Sequence, residues 1–180
     1  DLEEFKYDPE RAKQLLKEAG YPDGIDVEAI TTDTAATTFI LQYLAEAFKE
    51  ANIRMTIQTY DAAGFTDIRN NGKIPMFILT WVSDVGDPND FMSLYSTPMS
   101  QFISNFYENS EYDAQLQKGL TETDLEKRAE LYRQLDYKLT RTDYACAPIY
   151  HPNAFMLVSK KIKNLRMENC FRLFDAELSE

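Results

Sequence analysis

The sequence predicts an α/β fold, three layers deep, with helices on both sides of a mostly parallel mixed sheet. Three observations carry this. Helix-period and strand-period patterns alternate through residues 8–81, the order that parallel strands joined by crossover helices require. The run Met76-Phe77-Ile78-Leu79 reads as a buried strand. The chain has 180 residues, 44% apolar and 13% aromatic, enough for one domain that buries roughly 70% of its unfolded surface.

The elements follow in order. Asp8 is a good N-cap and Pro9 suits the first helical position. Ala12, Leu15, Leu16 and Ala19 form the apolar face of this first helix, and Gly20 stops it. Tyr21-Pro22-Asp23-Gly24 is a turn, and residues 27–32 read as a strand. A second helix is expected over residues 35–51, with Ile40, Leu44, Ala47 and Ala51 on one stripe flanked by Tyr43 and Phe48. Residues 54–60 alternate as a strand does, with Met55, Ile57 and Thr59 on one face. Residues 62–70 make a short helix, and residues 75–81 a third strand. Parallel strands bring residues 31–33, 60–61 and 81–84 to one edge of the sheet, where such folds bind ligands.

The second half reads differently. Residues 89–95 are a short helix, and residues 96–105 a polar loop carrying Pro98. Asn109 or Ser110 caps a helix that runs to about Gly119. Thr123-Asp124-Leu125-Glu126 has capping-box spacing and opens the clearest helix, to about residue 142. Its expected apolar face is Leu125, Ala129, Tyr132, Leu135 and Leu139. Residues 147–150 and 154–158 read as two short strands around His151-Pro152-Asn153, and residues 170–178 as a last strand. Lys160-Lys161-Ile162-Lys163 is a solvated basic patch. No repeat, low-complexity tract or linker divides residues 1–180, which are expected to form a single domain.

The formal charge of −11 repels nucleic acid and anionic lipid, and no basic stripe offsets it. No segment is apolar and long enough to span a bilayer. The chain begins at Asp1 without a signal peptide, and missing targeting information does not point to the cytoplasm.

Enzyme motifs are lacking: no GxSxG, P-loop, GxGxxG or HExxH occurs. Cys146 and His151 stand five residues apart on neighbouring extended segments, which suits packing rather than nucleophilic catalysis. Cys146 and Cys170 have no zinc-site spacing, and a single His cannot complete a zinc set. Asp84, Asp87 and Asp90 recur every three residues without the closing Glu of a calcium loop. The sequence therefore predicts no catalytic residue, no metal and no cofactor.

The richest stretch runs from Leu79 through Trp81, Asp84 and Asp87-Pro88 to Phe91. Asp87 has a structural explanation as the cap of a helix that Pro88 begins. Asp84 stands three residues earlier and is not explained that way. Trp81 and Asp84 together offer an aromatic wall and a carboxylate, which suit a ligand that is partly apolar and partly cationic.

Four stretches occur in a familiar order: residues 7–21, YDPERAKQLLKEAGY; residues 81–91 with their Asp-x-Gly-Asp-Pro core; Asn105-Phe106-Tyr107-Glu108-Asn109 leading to Glu111-Tyr112-Asp113; and Lys127-Arg128-Ala129-Glu130-Leu131-Tyr132 followed by Ala147-Pro148-Ile149-Tyr150-His151. In these the chain resembles the second, C-terminal lobe of the dipeptide- and oligopeptide-binding proteins, the family 5 extracellular solute-binding proteins of ABC importers. The resemblance implies a type II periplasmic-binding-protein lobe, no enzyme activity, and an extracytoplasmic location in the periplasm or lipid-anchored at the cell surface. It implies a peptide held between two lobes and passed to a membrane permease. It assigns the ligand's α-ammonium to Asp84, the pocket wall to Trp81, a ligand-facing loop to Asn105, Phe106 and Tyr107, and a place near the cleft to His151. The implied partners are the peptide, the permease and the N-terminal lobe; residues 170–180 resemble the strand returning toward that lobe. Nickel chelate, glutathione, opine or oligosaccharide are the other cargoes within the family, and an unrelated α/β interaction domain or hydrolase is the alternative outside it.

Overall fold

The computed structural model describes residues 5–71, 76–83, 85–103, 106–151, 153, 155–167, 171–172 and 176–178. The chain divides into two compact units, Asp1–Thr80 with Gln101–Phe106, and Trp81–Ser100 with Tyr107–Glu180.

The first unit is built on helix α1 (Pro9–Glu18), strand β1 (Ile25–Thr32), helix α2 (Ala35–Lys49), strand β2 (Ile53–Tyr60), helix α3 (Ala62–Asn70) and strand β3 (Met76–Phe77). The sheet order is β2-β1-β3, and both pairings are parallel. β1 pairs with β2 from Ile25 opposite Ile53 to Thr32 opposite Tyr60, so both strands deliver their carboxyl ends to one edge, as expected. The two crossovers run in opposite directions across β1, so right-handed connections place α2 and α3 on opposite faces of the sheet. The core follows from that layering. Ala29, Ile30 and Thr31 of the central strand are buried, with Leu41 of α2, Ala51 and Phe65 of α3. Phe65 meets Phe77 edge to face at 6.4 Å.

Local chemistry fixes the element ends. Asp8, Thr34 and Asp61 each accept a backbone N–H as N-caps of α1, α2 and α3. Gly24 has a φ of +83°, and a Cβ there would lie 1.8 Å from the Asn52 carbonyl oxygen. That close approach lets the Ile25 N–H reach the same oxygen at 3.2 Å, which sets the start of the β1–β2 register.

Two expectations for this unit change. No residue of α1 is buried, and Leu15 is exposed, so its apolar stripe is not a core face. The third strand is only two residues long in its described part; Pro75 lies outside the described residues. Ile30 pairs with Phe77, and β1 has only Thr31 and Thr32 left before turning into the cap of α2, so residues beyond Phe77 soon outrun their partner.

The second unit is helical. Helix α4 (Pro88–Met92) leads through a 3-10 turn, Ser93–Tyr95, to α5 (Thr97–Ile103), whose residues from Gln101 onward belong to the first unit. Helix α6 (Ser110–Thr121) and helix α7 (Leu125–Tyr137) follow, and α7 runs on into one π-helical turn, Lys138–Thr142. Tyr112, Leu116, Tyr132, Leu135 and Leu139 form the core, with Met92, Tyr95, Tyr107, Ala145 and Cys146 packed against it. Short antiparallel pairs, β4 (Ile162–Lys163) with β7 (Glu177–Leu178) and β5 (Arg166–Met167) with β6 (Phe171–Arg172), complete the described chain.

Here the sequence reading needs more correction. The expected polar loop over residues 96–105 contains α5, because Pro98 sits in its first turn and the Thr97 N–H donates to the Asp113 carboxylate at 2.9 Å. The cap of α7 is Asp124, not Thr123, and it accepts from Glu126 and Lys127. Leu125 and Ala129 are exposed; the inward face begins instead at Arg128 and continues through Tyr132, Leu135 and Leu139 as expected. Residues 147–150 and the described part of 154–158 form no strand, and they lie exposed. The expected last strand resolves into β6 and β7, while Cys170 lies outside the described residues.

Candidate functional site

The loop from Trp81 to Asn89 is held at several points. Ser83 is buried, and its hydroxyl accepts the Gly86 N–H at 2.8 Å. Gly86 has a φ of +67°, a conformation that glycine adopts without steric cost. Asp87 caps α4 by accepting the Asn89 N–H at 2.8 Å, and Pro88 follows at the first helical position. The capping role expected for Asp87 is therefore present.

The same Asp87 oxygen accepts a second bond, from Arg128 Nη2 of α7 at 2.8 Å. That guanidinium also donates to the Gly119 carbonyl at 3.0 Å and to the Tyr132 hydroxyl at 3.2 Å, and lies 4.8 Å from the centre of the Tyr132 ring. The Tyr132 hydroxyl donates in turn to Asn89 Oδ1 at 3.3 Å. The Arg128 hydrogen bond holds the Asp87 carboxyl below the usual carboxylate range, against partial burial, which raises it.

Trp81 is half-buried, and its indole Nε1 is buried without a hydrogen-bond partner among the described residues. A buried N–H in that state costs about 1–3 kcal/mol relative to a satisfied one, so it marks a place where an acceptor is wanted. Val82 and Val85, on either side of the Ser83 anchor, are exposed. Asp84 lies outside the described residues.

A second anchored segment carries Phe106 and Tyr107. The Tyr107 hydroxyl donates to Asp143 at 2.5 Å, and the same carboxylate oxygen accepts from Asn109 Nδ2 at 3.1 Å and pairs with Lys138 Nζ at 3.4 Å. Burial and the neighbouring carboxylate push the Tyr107 phenol well above its ordinary value, and the Tyr107 bond, with Lys138 and Asn109, holds Asp143 below its own. Its ring meets Tyr112 edge to face at 5.6 Å. Tyr107 is thus fixed at its hydroxyl end. Phe106, the residue before it, is exposed at a φ of +53°, which is unusual for a bulky side chain. Asn105 lies outside the described residues, and His151 is exposed.

Cys146 is half-buried with a free thiol, and burial pushes that thiol up. That is the opposite of what nucleophilic catalysis needs. Arg128, Tyr132, Lys138 and Asp143 were not singled out as candidate site residues from the sequence. The four-residue spacing of Arg128 and Tyr132 was a visible signal, since it places them together on one helix face.

Comparison with known proteins adds the family. The profile of the bacterial extracellular solute-binding proteins, family 5, middle region, matches residues 1–102. A heme-binding protein A of Haemophilus influenzae is 28% identical over 170 residues, 91% of this chain and 31% of that protein. A glutathione-binding protein of Pectobacterium atrosepticum is 28% identical over 191 residues, 98% of this chain and 36% of that protein. The crystal structure of a dipeptide-binding protein from Pseudoalteromonas, in complex with Met-Leu, aligns with a TM-score of 0.81 at 22% identity, covering 99% of this chain and 38% of that one. This last likeness is one of fold. The chain spans about a third of the length of the curated relatives it matches.

Proposed function

Because this chain belongs to the family 5 bacterial extracellular solute-binding proteins, we propose that it forms one lobe of the extracytoplasmic binding component of an ABC importer and captures peptides. In this reading Trp81 lines the pocket and Asp84 pairs with the peptide's α-ammonium. The family correspondence assigns a ligand-facing role to Asn105, Phe106 and Tyr107 and a place near the cleft to His151. The complete protein closes a second lobe over the ligand and delivers it to a permease.

The observation that carries the reading is the buried Nε1–H of Trp81, unpartnered among the described residues, in a loop fixed on its far side by Asp87 and Arg128. A peptide supplies an acceptor for that N–H in its backbone carbonyls and brings a compact cation at its end. Burying that cation unpaired is costly, and a carboxylate offsets the cost with charge-assisted bonds. Recognition through backbone and terminus, with water filling side-chain pockets, tolerates many peptide sequences. The relative named for glutathione fits the same chemistry, because glutathione is a tripeptide with a free ammonium. No helix among the described residues is long and apolar enough to cross a membrane.

Two experiments test this. Native mass spectrometry of the complete protein should find co-purified peptides; a homogeneous non-peptide ligand would overturn the cargo. Asp84→Asn should cost roughly 2–5 kcal/mol of dipeptide affinity by calorimetry on the complete protein. An unchanged dissociation constant would remove Asp84 from the site.

A further inference from the structure

We propose that Arg128 is a positioning residue for ligand capture: it ties the start of α4 to α6 and α7 and so fixes the loop that carries Trp81. The inference rests on the reading of that loop as the ligand site.

The argument begins with α4, which is five residues long. A helix so short does not hold itself, because one turn of hydrogen bonds does not offset the cost of nucleation. Something outside it must fix it. At its far end the Tyr112 hydroxyl donates to the Met92 carbonyl at 2.7 Å. At its near end the fixing point is the Arg128 guanidinium, whose side chain is only 21% exposed. One planar group satisfies three acceptors: the carboxylate that caps α4, a carbonyl of α6 and a hydroxyl of α7. Lysine has no such fork. The Tyr132 ring beneath it also passes close to Gly119, where a Cβ would stand 3.1 Å from Cζ, and its hydroxyl takes up Asn89.

Capping alone does not explain Asp87. Asn or Ser caps a helix about as well as Asp. The bond that calls for a charged oxygen is the one from Arg128. From Asp87 the constraint passes along the chain to Gly86, whose N–H is bonded to Ser83, two residues from Trp81. Arg128 thus sets where the indole stands without being required to touch the ligand.

The test follows the Trp81 indole N–H cross-peak in a nitrogen-15 correlation spectrum of the complete protein, identified by its absence in Trp81→Phe. The probe is the dipeptide Ala-Phe. In Arg128→Gln the indole cross-peak should move, and dipeptide binding should weaken by about tenfold, as expected when a hydrogen-bonded charge is lost. Arg128→Lys should return the peak part of the way. Asp87→Asn, which keeps a cap and breaks the tether, should move it in the same direction as Arg128→Gln, and it serves if Arg128→Gln does not fold. An indole peak that superimposes on the wild type in these variants, with the helical signal intact, overturns the inference, whatever happens to affinity. A displaced indole with unchanged dipeptide affinity supports the positioning role and instead sinks Trp81 as a pocket residue.

Discussion

Tyr112→Phe removes one oxygen atom from the centre of the second unit, and its cost can be worked from the structure. Tyr112 is fully buried, and its hydroxyl donates to the Met92 carbonyl at 2.7 Å across twenty residues of sequence. The ring stays in place in the variant, so no cavity of methyl size opens. What is lost is the net worth of a good hydrogen bond, about 0.5–1.5 kcal/mol, plus part of the desolvation cost of the carbonyl left behind, which reaches about 1–3 kcal/mol for a buried group. The expected loss is therefore about 1–3 kcal/mol. At about 2–4 °C per kcal/mol for a chain of this size, the midpoint of thermal unfolding should fall by about 2–12 °C. Urea denaturation followed by circular dichroism, with equal slopes for both proteins, measures it. A loss under about 0.3 kcal/mol would refute the reasoning, because it would mean that Tyr112 does not hold Met92.

Other outcomes are also expected. Gly24→Ala forces a side chain into a φ of +83° and against the Asn52 carbonyl, and should cost about 3 kcal/mol or more, read as lost urea resistance of the first unit. Asp143→Asn keeps an acceptor for Tyr107 but loses the charge that pairs with Lys138, so about 1–2 kcal/mol should disappear in the same assay. Stability should also fall in acid. Asp87 and Asp143 are held below the usual carboxylate range, so their contribution is complete above the unfolded value near pH ~4 and is lost as pH falls through their lower folded values. Burial raises Asp136, so that residue acts in the opposite sense, its unfavourable ionisation being relieved on acidification. Asp26, hydrogen-bonded by Arg54, is also held low, so three depressed carboxylates against one raised predict net loss, and Asp143→Asn should flatten the profile; a flat wild-type profile between pH 5 and pH 2 would contradict this.

The first half of the fold was legible in the sequence because its signals are local. Caps at Asp8, Thr34 and Asp61 and the alternation in residues 54–60 need no distant partner to be read. Errors arose where a partner decides. The stripe of α1 names an apolar face but not what covers it, and Leu15 stays exposed. Residues 147–150 have strand-like composition, yet no neighbour offers them a ladder among the described residues. Pro98 reads as a loop residue in the sequence because its helix is short and the Asp113 anchor lies sixteen residues from Thr97. At the site, Trp81 and Asp84 stand out in the sequence by residue type, and Asp87 reads as a helix cap. Arg128 and Asp143 do not stand out, because their meaning lies in bonds spanning 41 and 36 residues to Asp87 and Tyr107.

The account turns on a charged amino group being recognised beside Trp81. The direct measurement titrates the complete protein with Ala-Phe and with N-acetyl-Ala-Phe by calorimetry. Acetylation removes the positive charge and leaves the peptide carbonyls, so the acetylated form should bind about tenfold or more weakly, and Asp84→Asn should erase most of that difference. Equal binding of the two peptides to the wild-type protein would contradict the account.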